Sequence, residues 1–352
     1  MGEPVTDPAG PALGDLIAKA VRGVDLDTVE AETAFNHLME GRASPVQAAA
    51  LLVALRAKRE TPAEVAGGVR ALRSAMVPVP VHDADDVVDT CGTGGGAVTT
   101  FNISTAAALL AAGAGVRIAK HGNRSFTSRC GSADVLAELG VRIELPPDDM
   151  ARVLEETGIV FMFAPLLHPA MRHVAPVRRE LGMPTIMNIL GPLTNPAGAR
   201  RQVIGVADPA LLELIAGALR ELGHRRALVV HGEPGLDELS PIGTTDVVEL
   251  NEGTLRRYTI EPAALLGELR IDADGLAGGD PAYNADLILR VLRGAEQGAA
   301  RAAVLINAAA ALYVAEAADS LHEGVILAER TLDEGGGIGA LERLRAATAS
   351  LK

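Results

Sequence analysis

The sequence predicts an α/β protein: a small all-α N-terminal domain followed by a larger α/β domain with a central, mostly parallel sheet flanked by helices. Three observations lead to this prediction. Apolar residues recur at helical spacing from Pro11 to Met76. The segment VPVPVHDADD, which begins at Val77, contains prolines that a helix interior does not tolerate. Beyond it, short β-branched runs alternate with helical stretches, as in sheets with crossover helices. We therefore expect domains at residues 1–80 and 81–352.

The helices of the N-terminal domain are marked by their ends as well as by their periodicity. Ser44 precedes Pro45 and Thr61 precedes Pro62, so each pair places a capping hydroxyl before a proline suited to the first helical position. Gly41 is typical of a residue that follows a helix. With the amphipathic stretches LGDLIAKAVRGV and VEAETAFNHLME, these signals indicate about four helices and no strand.

The larger domain shows alternating strand and helix patterns. The predicted strands are VVDTC, VRIAK, VRIEL, IVFMF, RQVIGV and ALVVHG. The helical stretches between them include ISTAAALLAAG, DMARVLEE and PALLELIAGALRELG. The tail at residues 280–352 is mostly helical in pattern, and VLINAAAALYVAEAA is its most apolar helix.

Composition narrows the classes of function. The chain has 352 residues, of which 48% are hydrophobic and 22% charged, so it is long enough to bury a substantial core. The formal net charge of −13 disfavours non-specific nucleic-acid binding. Cys91 and Cys130 lie in no metal-type spacing, which fits a reducing compartment. Without a basic and apolar leader or an apolar run of about 18 residues, the sequence predicts a cytoplasmic protein with no membrane partner.

A glycine-rich stretch, GTGGGAVTTFNIST at residues 92–105, follows the predicted strand VVDT and precedes a predicted helix. Glycines at this place expose backbone N–H groups, and a helix N-terminus adds a favourable partial charge, so the arrangement suits phosphate. Short polar side chains that could contact phosphate or ribose follow the glycines: Thr99, Thr100, Asn102, Ser104 and Thr105.

Other interpretations of this loop remain open at this point. The glycines could form an ordinary tight loop with ordinary caps. Gly92, Gly94 and Ala97 also satisfy the dinucleotide pattern G-x-G-x-x-G/A. However, Arg117 and Lys120 lie where that pattern requires an acidic residue, about 20 residues further on. A P-loop does not fit, because no Lys-Ser/Thr pair follows the glycines at the required spacing.

A second polar cluster, AKHGNRSFTSRCGSADVL, begins at Ala119 directly after the predicted strand VRI. Open α/β sheets bind ligands at the carboxyl ends of their strands. Basic groups and hydroxyls beside Gly122 and Gly131 offer both charge and backbone to an anion. The side chains concerned are Lys120, His121, Asn123, Arg124, Ser125, Thr127, Ser128, Arg129 and Ser132.

With these clusters the sequence closely resembles the anthranilate phosphoribosyltransferase family over nearly its whole length. Six motifs in the family's order and spacing carry the resemblance: GTGG at Gly92, FNIST at Phe101, KHGNRS at Lys120, HPAMRHVAPVRRELG at His168, NILGPLTNP at Asn188 and GLDELSP at Gly235. The resemblance implies transfer of a phosphoribosyl group from phosphoribosyl pyrophosphate (PRPP) to anthranilate. It also implies that part of residues 168–200 joins the N-terminal helical domain, that the acceptor binds between the domains, and that the protein is a homodimer.

The resemblance also implies roles for individual residues. PRPP would be bound by Gly92, Thr93, Gly94, Gly95, Gly96, Thr100, Asn102, Ile103, Ser104, Thr105, Lys120, His121, Gly122, Asn123, Arg124, Ser125, Phe126, Thr127, Ser128 and Ser132. Anthranilate would be bound by Arg178 together with Gly92, Asn123, His121 and His168. Mg²⁺ would be held by Ser104, Asp237 and Glu238, and the catalytic residues would be Lys120, Asp237 and Glu238.

The chemistry of the transfer fits these residue types. Mg²⁺ prefers hard oxygen ligands and retains waters, so two carboxylates, a hydroxyl and substrate phosphates make a sensible set. An arylamine is unprotonated near neutral pH, so positioning it should suffice. His121, His168 and His173 could accept its proton or could simply line the pocket. Gly96 departs from the family's usual GTGGD, which removes any contact that the acidic side chain would make.

Three other functions fit parts of the sequence less well. A pyrimidine nucleoside phosphorylase shares the family's fold, but KHGNRS and HPAMRHVAPVRRELG argue against it. A non-catalytic relative that binds nucleic acid is disfavoured by the net charge of −13. A dinucleotide-dependent oxidoreductase is the weakest of the three, because the acidic residue expected after its glycine pattern is missing.

Overall fold

The computed structural model describes residues 11–96, 98–125, 129–267 and 273–351. The chain divides into two compact units. The helical unit comprises the described chain up to Met76 together with His168–Thr194, and the α/β unit comprises Val77–Leu167 and the described chain from Asn195 onward. An α/β class with a small N-terminal helical domain, as predicted from sequence, is confirmed.

The helices, in chain order, are α1 Leu13–Val21, α2 Thr28–Met39, α3 Pro45–Lys58, α4 Pro62–Ala75, α5 Ile103–Gly113, α6 Ser132–Glu138, α7 Pro147–Thr157, α8 Ala164–Leu167, α9 Ala175–Leu181, α10 Met187–Leu190, α11 Leu211–Glu221, α12 Pro262–Leu266, α13 Pro281–Leu292, α14 Ala299–Val314, α15 Leu321–Asp333 and α16 Gly336–Ser350. The strands are β1 Val87–Gly92, β2 Arg117–Gly122, β3 Ile159–Phe163, β4 Arg201–Gly205, β5 Arg226–Gly232, β6 Thr245–Asn251 and β7 Thr254–Ile260. Short 3-10 helices occupy Ala84–Asp86, Pro169–His173, Gly191–Leu193 and Ala273–Leu276. In the part of the chain described, no helix is both long enough and apolar enough to cross a membrane.

Helices α3 and α4 begin where their caps predict. Ser44 Oγ accepts a hydrogen bond from Gln47 N at 3.2 Å, and the Gln47 side chain accepts one from Ser44 N at 3.0 Å. Thr61 and Glu64 form the same reciprocal box at the start of α4. Gly41 has a φ of +70°, the left-handed conformation that suits a residue following a helix.

The sheet has the strand order β3-β2-β1-β4-β5-β6-β7. The first five strands in this order pair in parallel, and β5, β6 and β7 pair antiparallel. Five of the six predicted strands are confirmed by β1 to β5, and the mostly parallel character of the sheet is confirmed with them. Sequence analysis missed the β6–β7 hairpin, whose turn places Glu252 and Gly253 at positive φ.

The predicted strand VRIEL was wrong, because residues 141–145 form no strand. The alternation that suggested a strand is real: Val141, Ile143 and Leu145 are buried and the two residues between them are exposed. The segment is held instead by the C-terminal helix. Arg142 N donates to Thr348 Oγ1 at 3.3 Å, and the Arg142 guanidinium donates to Leu351 O at 2.8 Å.

Two alanine-rich helices, α5 and α14, pack against each other and against β1. Both are buried along most of their length. The C-terminal end of α14 is tied to the start of β4, because Arg201 donates to Val314 O at 2.9 Å and pairs with Glu316 at 2.5 Å. The hydrogen bond from Arg201 lowers the pKa of Glu316. The position of α14 over the sheet is therefore well defined.

The direction of strand addition reverses between β1 and β4. The chain adds β2 and β3 on one side of β1 and then crosses to place β4 and β5 on the other side. In open α/β sheets such a reversal opens a crevice at the carboxyl ends of the strands. Gly92 and Gly205 are register partners at this point, and the sequence-predicted glycine loop starts there.

Candidate active site

Three parallel strands end on glycines at the edge of this crevice, and an acidic loop at residues 235–239 lies directly over them. A Cβ on Gly205 would lie 1.6 Å from Asp237 O, and one on Gly232 would lie 2.5 Å from Glu238 O. A Cβ on Gly92 would lie 2.5 Å from Asp237 Oδ2. The missing side chains thus allow the acidic loop to lie against the strand ends.

The glycine loop contacts the same acidic loop. Gly94 N donates to Asp237 Oδ2 at 2.9 Å, and Thr93 N donates to Gly205 O at 2.9 Å. Gly94 and Gly95 have φ values of +68° and +80°, which other residues rarely adopt. A Cβ on Gly96 would lie 2.9 Å from Gly235 O, so this chain has little room for the acidic side chain that the family's motif carries there.

Ser104, Glu238 and Lys120 meet at the start of α5. Ser104 N donates to Glu238 Oε1 at 3.1 Å, and Lys120 Nζ donates to Ser104 Oγ at 3.2 Å. The Lys120 ammonium also donates to the backbone carbonyl of Thr90. Burial and the neighbouring charge of Asp237 raise the pKa of Glu238 to about 8, while burial lowers the pKa of Lys120. The site thus brings ionisable groups together in a region poorly exposed to water, where burial opposes the charged form of each.

A buried carboxylate under the site was missed by sequence analysis. Asp89 lies in β1, is fully buried, and accepts hydrogen bonds from His121 N at 3.1 Å and from Gln202 Nε2 at 3.2 Å. Burial raises the pKa of Asp89, and the charge of Lys120 opposes that shift. The sequence signal for this buried carboxylate was an acidic residue directly after two valines in the predicted strand VVDT.

The FNIST segment is held by distant parts of the chain. Asn102 Oδ1 accepts a hydrogen bond from Asn284 Nδ2 at 2.9 Å, and Asn102 Nδ2 donates to Cys130 O at 3.2 Å. Thr100 forms an isolated β-bridge with Ala277. Asn284, which sequence analysis did not single out, is 1% exposed and also accepts from Gly279 N at 2.8 Å.

Two residues of this segment point into the protein interior. Ile103 and Thr105 are each 1% exposed. Thr105 Oγ1 has no hydrogen-bond partner among the described residues, and Thr105 lines a small internal cavity together with Lys120 and Phe161. Any contribution of these two residues to ligand binding would therefore come through the backbone at the start of α5.

The KHGNRS segment continues from β2 into a loop held by Asp134. This carboxylate accepts hydrogen bonds from Gly131 N at 2.9 Å and Ser125 N at 3.2 Å, and it pairs with Arg124 at 2.8 Å. The carbonyl of Asn123 accepts from Ser132 Oγ at 3.4 Å. A Cβ on Gly122 would lie 2.3 Å from that same hydroxyl. The predicted ligands Phe126, Thr127 and Ser128 lie outside the described residues.

The predicted anthranilate ligands do not all belong to one unit. Arg178 lies on α9 and His168 precedes it in the helical unit, whereas Gly92, His121 and Asn123 belong to the α/β unit. Arg178 is half-buried, and no described residue of its own unit supplies a side-chain partner for it. Burial lowers the pKa of Arg178 and lowers that of His168 to about 4, so His168 is neutral at pH 7.

The donor set at the crevice fits magnesium that arrives with a phosphate ligand. Asp237, Glu238 and Ser104 offer hard oxygens, the ligand type that Mg²⁺ prefers. Within the described ranges, no group of three or more His, Cys, Asp or Glu side chains could hold a metal ion alone. Two carboxylates and a hydroxyl match a site that substrate phosphates and water must complete.

Comparisons with known proteins cover both units. The family model "Glycosyl transferase family, helical bundle domain" matches residues 14–76, and "Glycosyl transferase family, a/b domain" matches residues 84–338. The anthranilate phosphoribosyltransferase of Rubrobacter xylanophilus is 53% identical over 333 residues, which cover 94% of this chain and 96% of that relative.

Solved structures agree with the sequence comparison. The crystal structure of anthranilate phosphoribosyltransferase from Thermus thermophilus is similar at a TM-score of 0.90 and 47% identity, over 96% of this chain and 100% of that one. The Saccharomyces cerevisiae enzyme in complex with PRPP and Mg is similar at a TM-score of 0.86 and 26% identity, over 96% of this chain and 98% of that one.

The close approach at Gly205 can be tested by Gly205→Ala. We expect this variant to lose about 2 kcal/mol of unfolding free energy, because a Cβ cannot rotate away from Asp237 O and the loop must move. The control is Gly191→Ala, where φ is −52° and no atom lies within 4 Å of the added Cβ. Denaturant unfolding and a crystal structure would check this. A Gly205→Ala protein with unchanged stability and an unmoved loop would contradict it.

Proposed function

The chain belongs to the anthranilate phosphoribosyltransferase family, and from this membership we propose that it transfers the phosphoribosyl group of PRPP to the amine of anthranilate. The products are N-(5-phosphoribosyl)anthranilate and pyrophosphate, in tryptophan biosynthesis. The proposal rests on one observation: the GLDELSP motif contacts both the GTGG and the FNIST motifs. Asp237 Oδ2 lies 2.9 Å from Gly94 N, and Glu238 Oε1 lies 3.1 Å from Ser104 N.

The pyrophosphate end of PRPP would bind at the glycine loop and the start of α5. Backbone N–H groups and the positive end of the helix favour an anion there. The ligands proposed from the family's motifs, apart from the three residues outside the described ranges, are Gly92, Thr93, Gly94, Gly95, Gly96, Thr100, Asn102, Ile103, Ser104, Thr105, Lys120, His121, Gly122, Asn123, Arg124, Ser125 and Ser132. Lys120 is already held on Ser104 and Thr90, so we propose that it acts as a fixed positive charge near the leaving group.

Magnesium is the proposed cofactor, bound by Asp237, Glu238 and Ser104. When bound, it would supply positive charge to offset the negative charge that develops on the departing pyrophosphate. Burial raises the pKa of both Asp237 and Glu238. A nearby cation would therefore favour the state in which both carboxylates are charged. The yeast relative in complex with PRPP and Mg is consistent with this proposal.

The residues of this chain would act mainly by binding and orientation. The transition state develops positive charge on the ribose and negative charge on the leaving group, so fixed charges and backbone N–H groups are the main means of stabilisation. The amine of anthranilate needs no strong base to free its lone pair. We propose that Arg178 grips the anthranilate carboxylate in a bidentate fork, and that His168, His121, Asn123 and Gly92 are the other ligands of anthranilate. The neutral state of His168 at pH 7 suits an aromatic ligand.

We also propose that the protein is a homodimer and that it is cytoplasmic. Val21 and Val53 are 67% and 38% exposed on α1 and α3, and they line a groove with Ala50 and Ala57. An apolar patch on the N-terminal helices supports a homodimer formed through this face. A cytoplasmic location fits the low cysteine content and would be checked by cell fractionation.

The reaction itself is tested by mixing the purified protein with anthranilate, PRPP and Mg²⁺. We expect loss of anthranilate fluorescence with release of one pyrophosphate per anthranilate consumed. The loss should stop when EDTA removes the metal, and isomeric aminobenzoates should react far more slowly, because their carboxylate and amine are placed differently. A protein that consumes no anthranilate under these conditions would refute the proposal.

Two sets of variants should separate metal function from acceptor binding. We expect Asp237→Ala and Glu238→Ala to lower kcat by at least about 100-fold and to weaken the response to Mg²⁺. We expect Arg178→Ala to raise KM for anthranilate at least about 10-fold, with little change in KM for PRPP. Arg179→Ala, on the exposed face of the same helix, is the matched control. Equal effects of Arg178→Ala and Arg179→Ala would remove the assignment of Arg178.

The homodimer is tested by the double variant Val21→Asp with Val53→Asp. Carboxylates in an apolar interface would be desolvated without partners, so we expect sedimentation to change from a dimer to the 36.3 kDa monomer. Ile326→Asp, at a residue 54% exposed in the other unit, should leave the mass unchanged. A wild-type protein that sediments as a monomer would contradict the proposal.

A further inference from the structure

One buried polar side chain lies in the most apolar helix of the C-terminal region. Asn307 is at the middle of α14, is 3% exposed, and is flanked by buried alanine, leucine and isoleucine. A buried amide without hydrogen bonds is costly, so its partners explain why a polar residue is tolerated there. Asn307 Nδ2 donates to Ala303 O at 2.9 Å within the helix, and its other hydrogen bonds leave the helix altogether.

Those other hydrogen bonds hold both backbone groups of a single residue. Asn307 Nδ2 donates to Leu239 O at 3.0 Å, and Asn307 Oδ1 accepts from Leu239 N at 3.0 Å. Two hydrogen bonds to one residue define the orientation of its backbone as well as its position, as an adjacent strand would do. Leu239 directly follows Glu238, so the N–H that donates to Asn307 belongs to the peptide unit joining these two residues, and the C=O belongs to the next peptide unit, which joins Leu239 to Ser240.

The rest of the acidic loop has separate supports on either side. Leu236 pairs with Gly232 through backbone hydrogen bonds of 2.6 and 2.9 Å. Ser240 N donates to Thr245 Oγ1 at 2.9 Å. Between these supports the loop passes over glycines that leave room for it but offer no side chain to hold it. Asn307 supplies a side-chain hold within this stretch, next to the carboxylates.

The helix that carries Asn307 is itself packed against the strands next to the acidic loop. Helix α14 packs against β1, β4 and β5, the strands whose ends form the crevice. Arg201 ties the C-terminal end of the helix to β4. The side-chain amide of Asn307 therefore lies on a helix that packs against β1 and β4, the strands beside which the glycine loop lies.

We propose that Asn307 is a positioning residue that sets the orientation of Glu238, and through it the geometry of the divalent-cation site. It touches neither substrate nor metal. The part of the inference that concerns metal rests on the proposed function, whereas the part that concerns the loop does not. Replacement by leucine would fill a similar volume but leave the N–H and C=O of Leu239 without their partner.

The test compares Asn307→Leu with Leu312→Ala, which opens a cavity in the same helix at a fully buried residue. Asn307→Ser, a smaller side chain, serves as a second variant should the leucine variant fail to fold. In the metal-free, substrate-free proteins we expect amide hydrogen exchange in residues 236–240 to accelerate at least about 10-fold in the Asn307 variants. The Leu312→Ala protein, although less stable, should exchange in this loop within about threefold of wild type.

The second readout is the concentration of Mg²⁺ that gives half-maximal rate at saturating PRPP. We expect it to rise at least about 10-fold in the Asn307 variants, with KM for anthranilate within about twofold of wild type and rates partly restored by excess Mg²⁺. It should not change in Leu312→Ala. Unchanged loop exchange in the Asn307 variants, or equal Mg²⁺ effects in Leu312→Ala, would overturn the inference. Faster exchange in a protein whose wild type transfers nothing would support the loop assignment and refute the proposed function alone.

Discussion

The site depends on how closely one loop can approach the ends of a parallel sheet. Aspartate is short, so its carboxylate can reach the crevice between β1 and β4 only if its backbone lies almost on the strand ends. Gly92, Gly205 and Gly232 make that possible, because a Cβ on any of them would lie within 2.5 Å of the acidic loop. The crevice itself follows from the reversal of strand order, which leaves β1 and β4 side by side with their crossovers leading away from each other.

Charge is arranged before any ligand arrives. The ammonium of Lys120 donates hydrogen bonds to Thr90 and Ser104, and the nearby carboxyl groups of Asp89 and Glu238 oppose the lowering of its pKa by burial. Each of these ionisable groups carries a desolvation cost that shifts its pKa toward the neutral form, and a neighbour of opposite charge or a backbone donor offsets part of that cost. A positive charge already in place needs no reorganisation as negative charge develops on a leaving group, which is how preorganised sites lower barriers.

The sequence predicted the parts of this molecule that are encoded locally. Glycine and basic clusters directly after strands indicate ligand sites without knowledge of tertiary contacts, and the caps of α3 and α4 define their starts. The β6–β7 hairpin was missed because β7 is an edge strand with much of its length exposed and no regular apolar alternation. Residues 141–145 show strand alternation but are held by the C-terminal helix. The supports at Asn284 and Asn307 act on Asn102 and Leu239, far away in sequence, so no local pattern reveals them.

The division of the chain has a consequence for its synthesis. The helical unit is assembled from two pieces, and the second piece ends at Thr194, beyond the middle of the chain. Leu190 of the second piece lies against the first at Gly68, where an added Cβ would be 2.9 Å away. The N-terminal helices thus emerge from the ribosome long before the segment that completes their packing. Although this unit is translated first, its core can close only after more than half of the polypeptide, including the strands β1, β2 and β3, has been made.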